Sequence, residues 1–436
     1  MTSEPKIGLT RAALIMYGAL AFPLAFAGIP IYLHAPDFYA SELGVPLTTL
    51  GATLLLLRII DAVQDPWIGR TSDLFSRWRK QIMALGIAML GGGFWMIFHP
   101  IATWPLIWFA LGVFICTTGF SIVSINFQAL GGLWHATQSE RTSITAWREG
   151  LGLVGLLAAA IAPTLLGSLV DAPAAFHTLS VIYIPILALT SWLFLRWMGK
   201  ATIDAPARAV KPVAMLSLLK SAWIRHFFGI TFLNGFASAV PAVLVIFYIR
   251  DWLQAEADTG LFLLLYFLSG ALAMPLWQRV SRSVGKYRCW IFSITLAIAT
   301  FSWAALLGPG DREAYAAICI LSGIALGADL SLPPSMMADY IARRGDQASA
   351  SSHFSILTFL SKASLALATG LMLPLLGLLG YQPGDIGGDG VTATLGLSYA
   401  LVPCLVKMVV VFWLWRKLPL LQTLGDDTIP RKVIAA

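Results

Sequence analysis

A succession of apolar runs constrains this chain more than any other feature. About twelve of them are long enough to cross roughly 30 Å of hydrocarbon as helices. They fall near residues 11–35, 44–70, 81–99, 104–130, 145–170, 176–198, 221–249, 259–279, 287–308, 314–341, 352–380 and 393–416. Away from water a backbone must satisfy its own polar groups, which leaves helices or a closed barrel, and runs of this length are helical. With 58% hydrophobic and 12% charged residues, the chain carries about half the charge of a soluble domain. The expected fold is therefore an all-α membrane protein of twelve transmembrane helices in two six-helix bundles. Residues 1–198 form the first bundle, 199–220 a cytoplasmic linker, 221–416 the second bundle and 417–436 a cytoplasmic tail.

The net charge of +7 does not indicate nucleic acid, because the basic residues sit in short loops with no stripe interleaved with aromatics. Most of the 29 Lys and Arg fall on one side of the spans. The opposite loops hold Asp37, Glu42, Asp171, Glu256, Asp258, Asp385 and Asp389, with only Arg250 and Arg312 among them. The positive-inside rule then places both termini in the cytoplasm. The first apolar run is longer than a signal-peptide core and reads as a retained span. Cys116, Cys289, Cys319 and Cys404 lie in apolar runs and read as small core residues. No metal-ligand, Walker A or G-x-S-x-G spacing occurs, so an enzyme is not expected.

One stretch breaks the apolar pattern from within. RIIDAVQDPWIGRTSDLFSRWRK, residues 58–80, places Arg58, Asp61 and Asp65 at i, i+3 and i+7, on one face of a helix. Each charge would cost a few kcal/mol facing lipid, so a water-accessible interior is expected. Two carboxylates one turn apart do not both ionise comfortably in a low dielectric. Either one keeps a proton or a cation sits between them. Gln64 adds a neutral oxygen, and Arg58 either tunes the pair or simply bridges it. Other deep charges are Lys362, expected to meet the Asp61/Asp65 pair or Asp329, and Arg148, facing the cavity from below. Lys407 either snorkels or serves function. Glu149 and Asp339 read as gate or cap residues.

An internal repeat relates PWIGRTSDLFSRWR, residues 66–79, to PLWQRVSRSVGKYR, residues 275–288, about half the chain away. A second pair joins Glu140–Ser143 to Asp346–Ser349. Parallel repeats place substrate at the interface between halves. The alignment sets Gly270 opposite Asp61 and Met274 opposite Asp65, so the carboxylate pair has no twin. Proline and glycine are expected to break the first helix (Pro23, Gly28, Pro30), the seventh (Asn234, Gly235, Pro241) and the tenth (Pro333, Pro334). The loops Gly69–Lys80 and Gln278–Arg288 are expected to lock the cytoplasmic side, with Asp73, Arg77, Arg79, Arg282, Arg288 and Glu140 as gating residues.

RIIDAVQDPWIG resembles the second-helix motif R-x-x-D-A-x-x-D-P-x-x-G of the glycoside–pentoside–hexuronide:cation symporters, a branch of the major facilitator superfamily. Weaker matches are YGALAF, FSIVSINFQAL, ERTSITAWR, LNGF, MADY and LTFLSKAS. The resemblance implies that Asp61 and Asp65 bind the coupling H⁺ or Na⁺, with Gln64 and Ser121 contributing. It places Lys362 beside the cation site and Arg148 near the sugar. Where sugar carriers of the family hold acids in helices 1 and 4, this chain has Ala25 and Ser124, and a family tryptophan is replaced by Gln128. The expected substrate-binding set is Arg148, Lys362, Asp329, Ser124, Gln128, Asn234 and Thr358. The expectation is a monomeric inner-membrane symporter of a sugar-like solute, with membrane lipid around it, no nucleic-acid partner and no cofactor beyond the coupling ion. The alternatives are a lysolipid or amphiphile transporter and a proton-coupled exporter.

Overall fold

The computed structural model describes residues 9–101, 103–167, 172–204, 215–381 and 391–426. Parts of the expected linker and tail, with Asp171, Asp385 and Asp389, lie outside the described residues. Among the described residues there are twelve long helices: α1 (Arg11–Ser41), α2 (Leu47–Leu74), α3 (Arg79–Phe98), α4 (Pro105–Leu133), α5 (Gln138–Gly167), α6 (Ala172–Lys200), α7 (Ala222–Trp252), α8 (Thr259–Val284), α9 (Lys286–Leu306), α10 (Arg312–Arg344), α11 (Ala350–Leu378) and α12 (Val391–Asp426). Eleven of them contain segments apolar enough to cross a membrane. The exception is α2, whose charged residues make it the least hydrocarbon-compatible of the set. At 1.5 Å per residue its length is still about 42 Å. Among the described residues the sole β pairing is an isolated bridge between Trp134 and Ile203.

The packing follows the sequence repeat helix by helix. In the first half α1 packs on α5 and α6, α4 on α2 and α3, and α3 on α6; in the second, α7 packs on α11 and α12, α10 on α8 and α9, and α9 on α12. Adding six to each number in the first set generates the second. The contacts between halves obey the same operation: α2 with α11 answers α5 with α8, α4 with α11 answers α5 with α10, and α4 meets α10. Each half has its own apolar core. Tyr17, Phe127, Trp134, Phe194 and Trp197 pack together in the first.

Proline acts less uniformly than expected. In α1 the helix yields at Ala19 and Leu20, and a π-type turn spans Pro30–His34. The Pro23 carbonyl accepts from Tyr183 Oη at 3.1 Å as well as from Ala27 N at 3.2 Å, so an irregular backbone is satisfied by a neighbour. By contrast α7 continues through Pro241 to a π-type turn at Tyr248–Trp252, and α10 stays helical through Pro333 and Pro334. The last helix also runs past residue 416 to Asp426. There Leu421 is buried in the second core and its carbonyl accepts from Trp223 Nε1 at 3.3 Å.

The halves meet closely at the end bearing the loops 75–78, 134–137 and 345–349, called here the basic end. Gly69 of α2 lies against α11 so tightly that a Cβ would sit 2.2 Å from Ser355 Oγ and 2.7 Å from the Ser351 carbonyl. Gly69→Val is therefore expected to wedge the halves apart. Thiol labelling of Ser352→Cys, a position buried here, should rise several-fold in that background, and unchanged labelling would contradict the packing argument.

Candidate functional site

Halfway along the joint between halves, α2, α4 and α11 bring three charges together. Lys362 lies about 18 Å along α11 from its start. Its Nζ is 2.8 Å from Asp61 Oδ2 and 2.9 Å from both oxygens of Asp65. It also donates to Ser121 Oγ at 2.9 Å and to the Asp61 carbonyl at 3.2 Å. Ser121 Oγ donates to Asp61 Oδ1 at 3.0 Å, as Gln64 Nε2 does at 3.2 Å, and Thr118 Oγ1 reaches Gln64 Oε1 at 3.2 Å. Thus α2 supplies the acids, α4 the hydroxyls and the other half the ammonium.

Burial makes the charge count decisive. Asp61 and Asp65 are 7% and 0% exposed, while the Lys362 side chain retains 20%. The lysine side is thus the open approach to the acids. Two ionised carboxylates and one ammonium leave one negative charge in a site where uncompensated charge is costly. A proton or a small cation restores neutrality. Arg58 is not the partner: its guanidinium lies over the Tyr32 ring, 4.3 Å from the centroid, so a simple Arg58 bridge is not what holds these acids.

Toward the basic end the halves are tied by two polar knots. Asp73, at the end of α2, accepts from Ser351 N at 2.9 Å, Ser352 N at 2.7 Å and Ser352 Oγ at 2.7 Å. A carboxylate of one half thereby caps the first turn of a helix in the other, where free N–H groups favour negative charge. Arg79 joins this knot through Asp73 at 3.4 Å and Ser351 Oγ at 3.1 Å. In the second knot Asp339 of α10 meets Arg141 of α5 at 3.3 Å and Lys286 of α9 at 2.6 Å. Thr142 and Ser335 hydroxyls, 3.1 Å apart, lie beside it.

Several expected gating residues are elsewhere. Glu140 accepts from Thr137 N and Oγ1, each at 2.7 Å, a local capping box at the start of α5. Arg77 stacks over its neighbour Trp78, and Arg282 and Arg288 are exposed. The basic triplet at 286–288 contributes its first member instead, because Lys286 opens α9 and faces the joint. Asp339 appeared in the sequence as a gate or cap residue; its partners did not.

The expected substrate set divides. Gln128 Nε2 donates to Ser124 Oγ and to Thr358 Oγ1, each at 3.3 Å, crossing from α4 to α11. Arg148 is buried and bound to Glu149, with Nε 2.9 Å from Oε1. It shares no hydrogen bond with the Lys362 cluster among the described residues. Asp329 pairs with Lys407 rather than Lys362, at 3.0 Å, and Lys407 donates to Asn234 Oδ1 at 2.9 Å. The position equivalent to Asp65, Met274, packs with Ala146 and Leu153, and Gly270 lies against Gly323 and Gly327 of α10. One joint between halves is charged and its pseudo-symmetric twin is apolar.

The profile of the family described as MFS/sugar transport protein matches residues 14–421. Among curated proteins, the glucuronide carrier protein homolog of Escherichia coli (strain K12) is 24% identical over 435 residues, covering 91% of this chain and 90% of that one. The inner membrane symporter YicJ of the same strain is 24% identical over 277 residues, 59% of either chain. Among solved structures, a bacterial homologue of the iron transporter ferroportin, in an outward-facing state, superposes with a TM-score of 0.70 at 15% identity. That match covers 92% of this chain and 99% of that one. The E. coli fucose:proton symporter FucP (N162A) gives 0.64 at 15% identity, covering 93% and 97%. At such identities the likeness to these structures is one of fold.

Proposed function

Because the chain belongs to the MFS/sugar transport protein family, the glycoside–pentoside–hexuronide:cation branch of the major facilitator superfamily, we propose that it is a cation-coupled symporter of a small organic solute. It is a multi-pass membrane transporter by family; the coupling, the ion and the solute are the proposal. The observation that carries it is the Lys362 ammonium lodged between Asp61 and Asp65 across the joint. Lys362 is a tethered cation that the coupling ion must displace or share with. When H⁺ or Na⁺ loads the aspartates, the negative charge that holds Lys362 in place is reduced, and the fit of α11 on α2 changes with it. Ion occupancy thereby biases the relative position of the halves.

In this reading the two knots at the basic end form the closed cytoplasmic gate, both termini are cytoplasmic, and the molecule works as a monomer in an inner membrane. Among the described residues, the hydrogen bonds and ion pairs between halves run from those knots to Lys362 and no further, as an outward-facing state requires. Ser121 and Gln64 complete the ion's oxygen shell, and Gln128, Ser124 and Thr358 meet the solute at the joint. The family's sugar-type substrates supply the first candidate. The second, an amphiphile, is favoured by Ala25 and Ser124 standing where acids clamp sugar hydroxyls in the resembling carriers.

Reconstitution in proteoliposomes tests the proposal. An inward Na⁺ or H⁺ gradient is expected to drive uphill uptake of a sugar, sugar acid or lysolipid, and one of these ions should raise the apparent Tm of the purified protein, since ligation of the native form stabilises it. Uptake that ignores both gradients for every solute tried would end the coupling assignment.

A further inference from the structure

A second buried ion pair takes no part in the joint. On α10, Asp329 accepts from Trp290 Nε1 at 2.8 Å through one oxygen and from Lys407 Nζ at 3.0 Å through the other. With Asn234, which accepts from Lys407, the group spans α7, α9, α10 and α12, all within the second half. Rocking of one half against the other leaves these contacts intact, so the pair is unsuited to gating. Asp329 and Lys407 instead line a partly open cavity of about 300 Å³ bordered by α7, α8, α9, α10 and α12, within the size range of small-molecule sites.

The walls of this cavity define what it accepts. They are mostly carbon: Phe262, Phe267, Phe301, Pro241 and the ring of Tyr266. Two other lining hydroxyls, Tyr315 and Tyr399, satisfy each other at 2.7 Å. An ammonium has three donors; Lys407 uses two, on Asp329 and Asn234, and one is unassigned on a residue that faces the cavity. Asp329 and Lys407 cancel in charge, so an ionised ligand would bring an unpaired charge into an apolar chamber. Ser322 is turned to the Ile318 carbonyl, which leaves Ser238 and the Tyr266 hydroxyl, fewer than a polyol needs, so a polyol would bury hydroxyls the walls leave unanswered.

We propose that this cavity binds a neutral, mostly carbon solute bearing one acceptor oxygen, such as an aromatic or alicyclic alcohol, ketone or ester, oriented by the free N–H of Lys407. The site stands apart from the joint where Gln128, Ser124 and Thr358 are proposed to meet the transported solute: it is a second, ion-independent binding site held within one half. Aromatic walls supply contact area with little loss of side-chain freedom, and the charged Lys407 donor sets orientation.

The test uses the purified full-length protein in detergent, dialysed to equilibrium against matched empty micelles with 1-naphthol as probe. Saturable binding at one site is expected, at least ten-fold tighter than for naphthalene-1-carboxylate or methyl β-D-glucopyranoside. Lys407→Met should weaken it ten-fold or more. Ser238→Phe, which fills the cavity from α7 and leaves the ion pair alone, should do the same even where the lysine variant fails to fold. Binding is expected without Na⁺ and at any external ion gradient, so it stands even where gradient-driven uptake fails. Conversely, gradient-driven transport with no saturable naphthol binding overturns this inference and not the coupling. Tighter binding of the carboxylate or the glucoside, or undiminished binding in Ser238→Phe, also overturns it.

Discussion

Asp65→Asn is expected to abolish gradient-driven accumulation while downhill exchange of solute persists. The reason is a charge count at the α2–α11 joint. Wild type holds two carboxylates against one ammonium, whereas the variant leaves Asp61 and Lys362 as a self-contained neutral pair at 2.8 Å. Nothing then requires a further cation. A loss of at least about 100-fold in apparent cation affinity is anticipated, equivalent to roughly 2.7 kcal/mol. Asn is nearly isosteric with Asp, so insertion and folding should survive, and the yield of monodisperse protein checks this. Lys362→Met supplies the opposite sign: two unpaired carboxylates should bind the coupling ion more tightly and release it poorly, slowing turnover. Ion-dependent thermal shifts of both variants measure the two effects together. Similar ion affinity in wild type, Asp65→Asn and Lys362→Met would show that the electrostatics described here do not govern coupling.

Asp339→Ala is expected to be the most damaging single change at the basic end. Asp339 is 5% exposed and faces Lys286 and Arg141, which are 4% and 9% exposed. Removing it leaves two buried cations side by side, where loss of one partner from a buried pair costs about 3–5 kcal/mol. A large drop in apparent Tm should accompany freer access of thiol reagents to the basic end. The double variant Asp339→Ala with Lys286→Met removes one stranded charge and should recover part of the loss. A double-mutant cycle would give a coupling of at least about 1 kcal/mol if the knot acts as drawn. Strict additivity would mean that solvent or lipid headgroups reach these groups and that the pair is energetically idle.

The two knots differ in kind, which matters for the order in which they open. Asp73 is held by two backbone N–H groups, a hydroxyl and Arg79. Its three bonds to α11 would break if the start of α11 moved away from α2, while Arg79, in the same half, would stay with it. Asp339 moves with the second half and parts only from Arg141 when the halves separate, keeping Lys286 throughout. In the proposed alternating-access cycle, separating the halves at the basic end would strand one arginine rather than a full triad.

Much of this was visible in the chain itself. The apolar runs gave the helices because nothing but a helix closes its own hydrogen bonds over that length in lipid. The repeat at 66–79 and 275–288 foretold two corresponding halves, and the charges at 61 and 65 foretold a polar site, because acids that deep must face something other than hydrocarbon. Lys362 was legible as a deep charge seeking an acid. Less visible were the knots. Helical spacing says which residues share a face; it does not say that Glu140 closes a local capping box with Thr137 or that Arg282 and Arg288 stay exposed.

By itself, then, the sequence determined the number of helices, their division into two corresponding halves and the asymmetry that puts the acid pair in one half alone. These depend on local composition and spacing, which act within a helix. Only the tertiary structure decided which distant charges became partners: Lys362 with Asp61 and Asp65 rather than Asp329, Lys407 with Asp329, Lys286 and Arg141 with Asp339. Each of those choices turns on ångström-scale approach between helices far apart in the chain. At that range a buried charge is either neutralised or prohibitively costly, and no periodicity records which outcome holds.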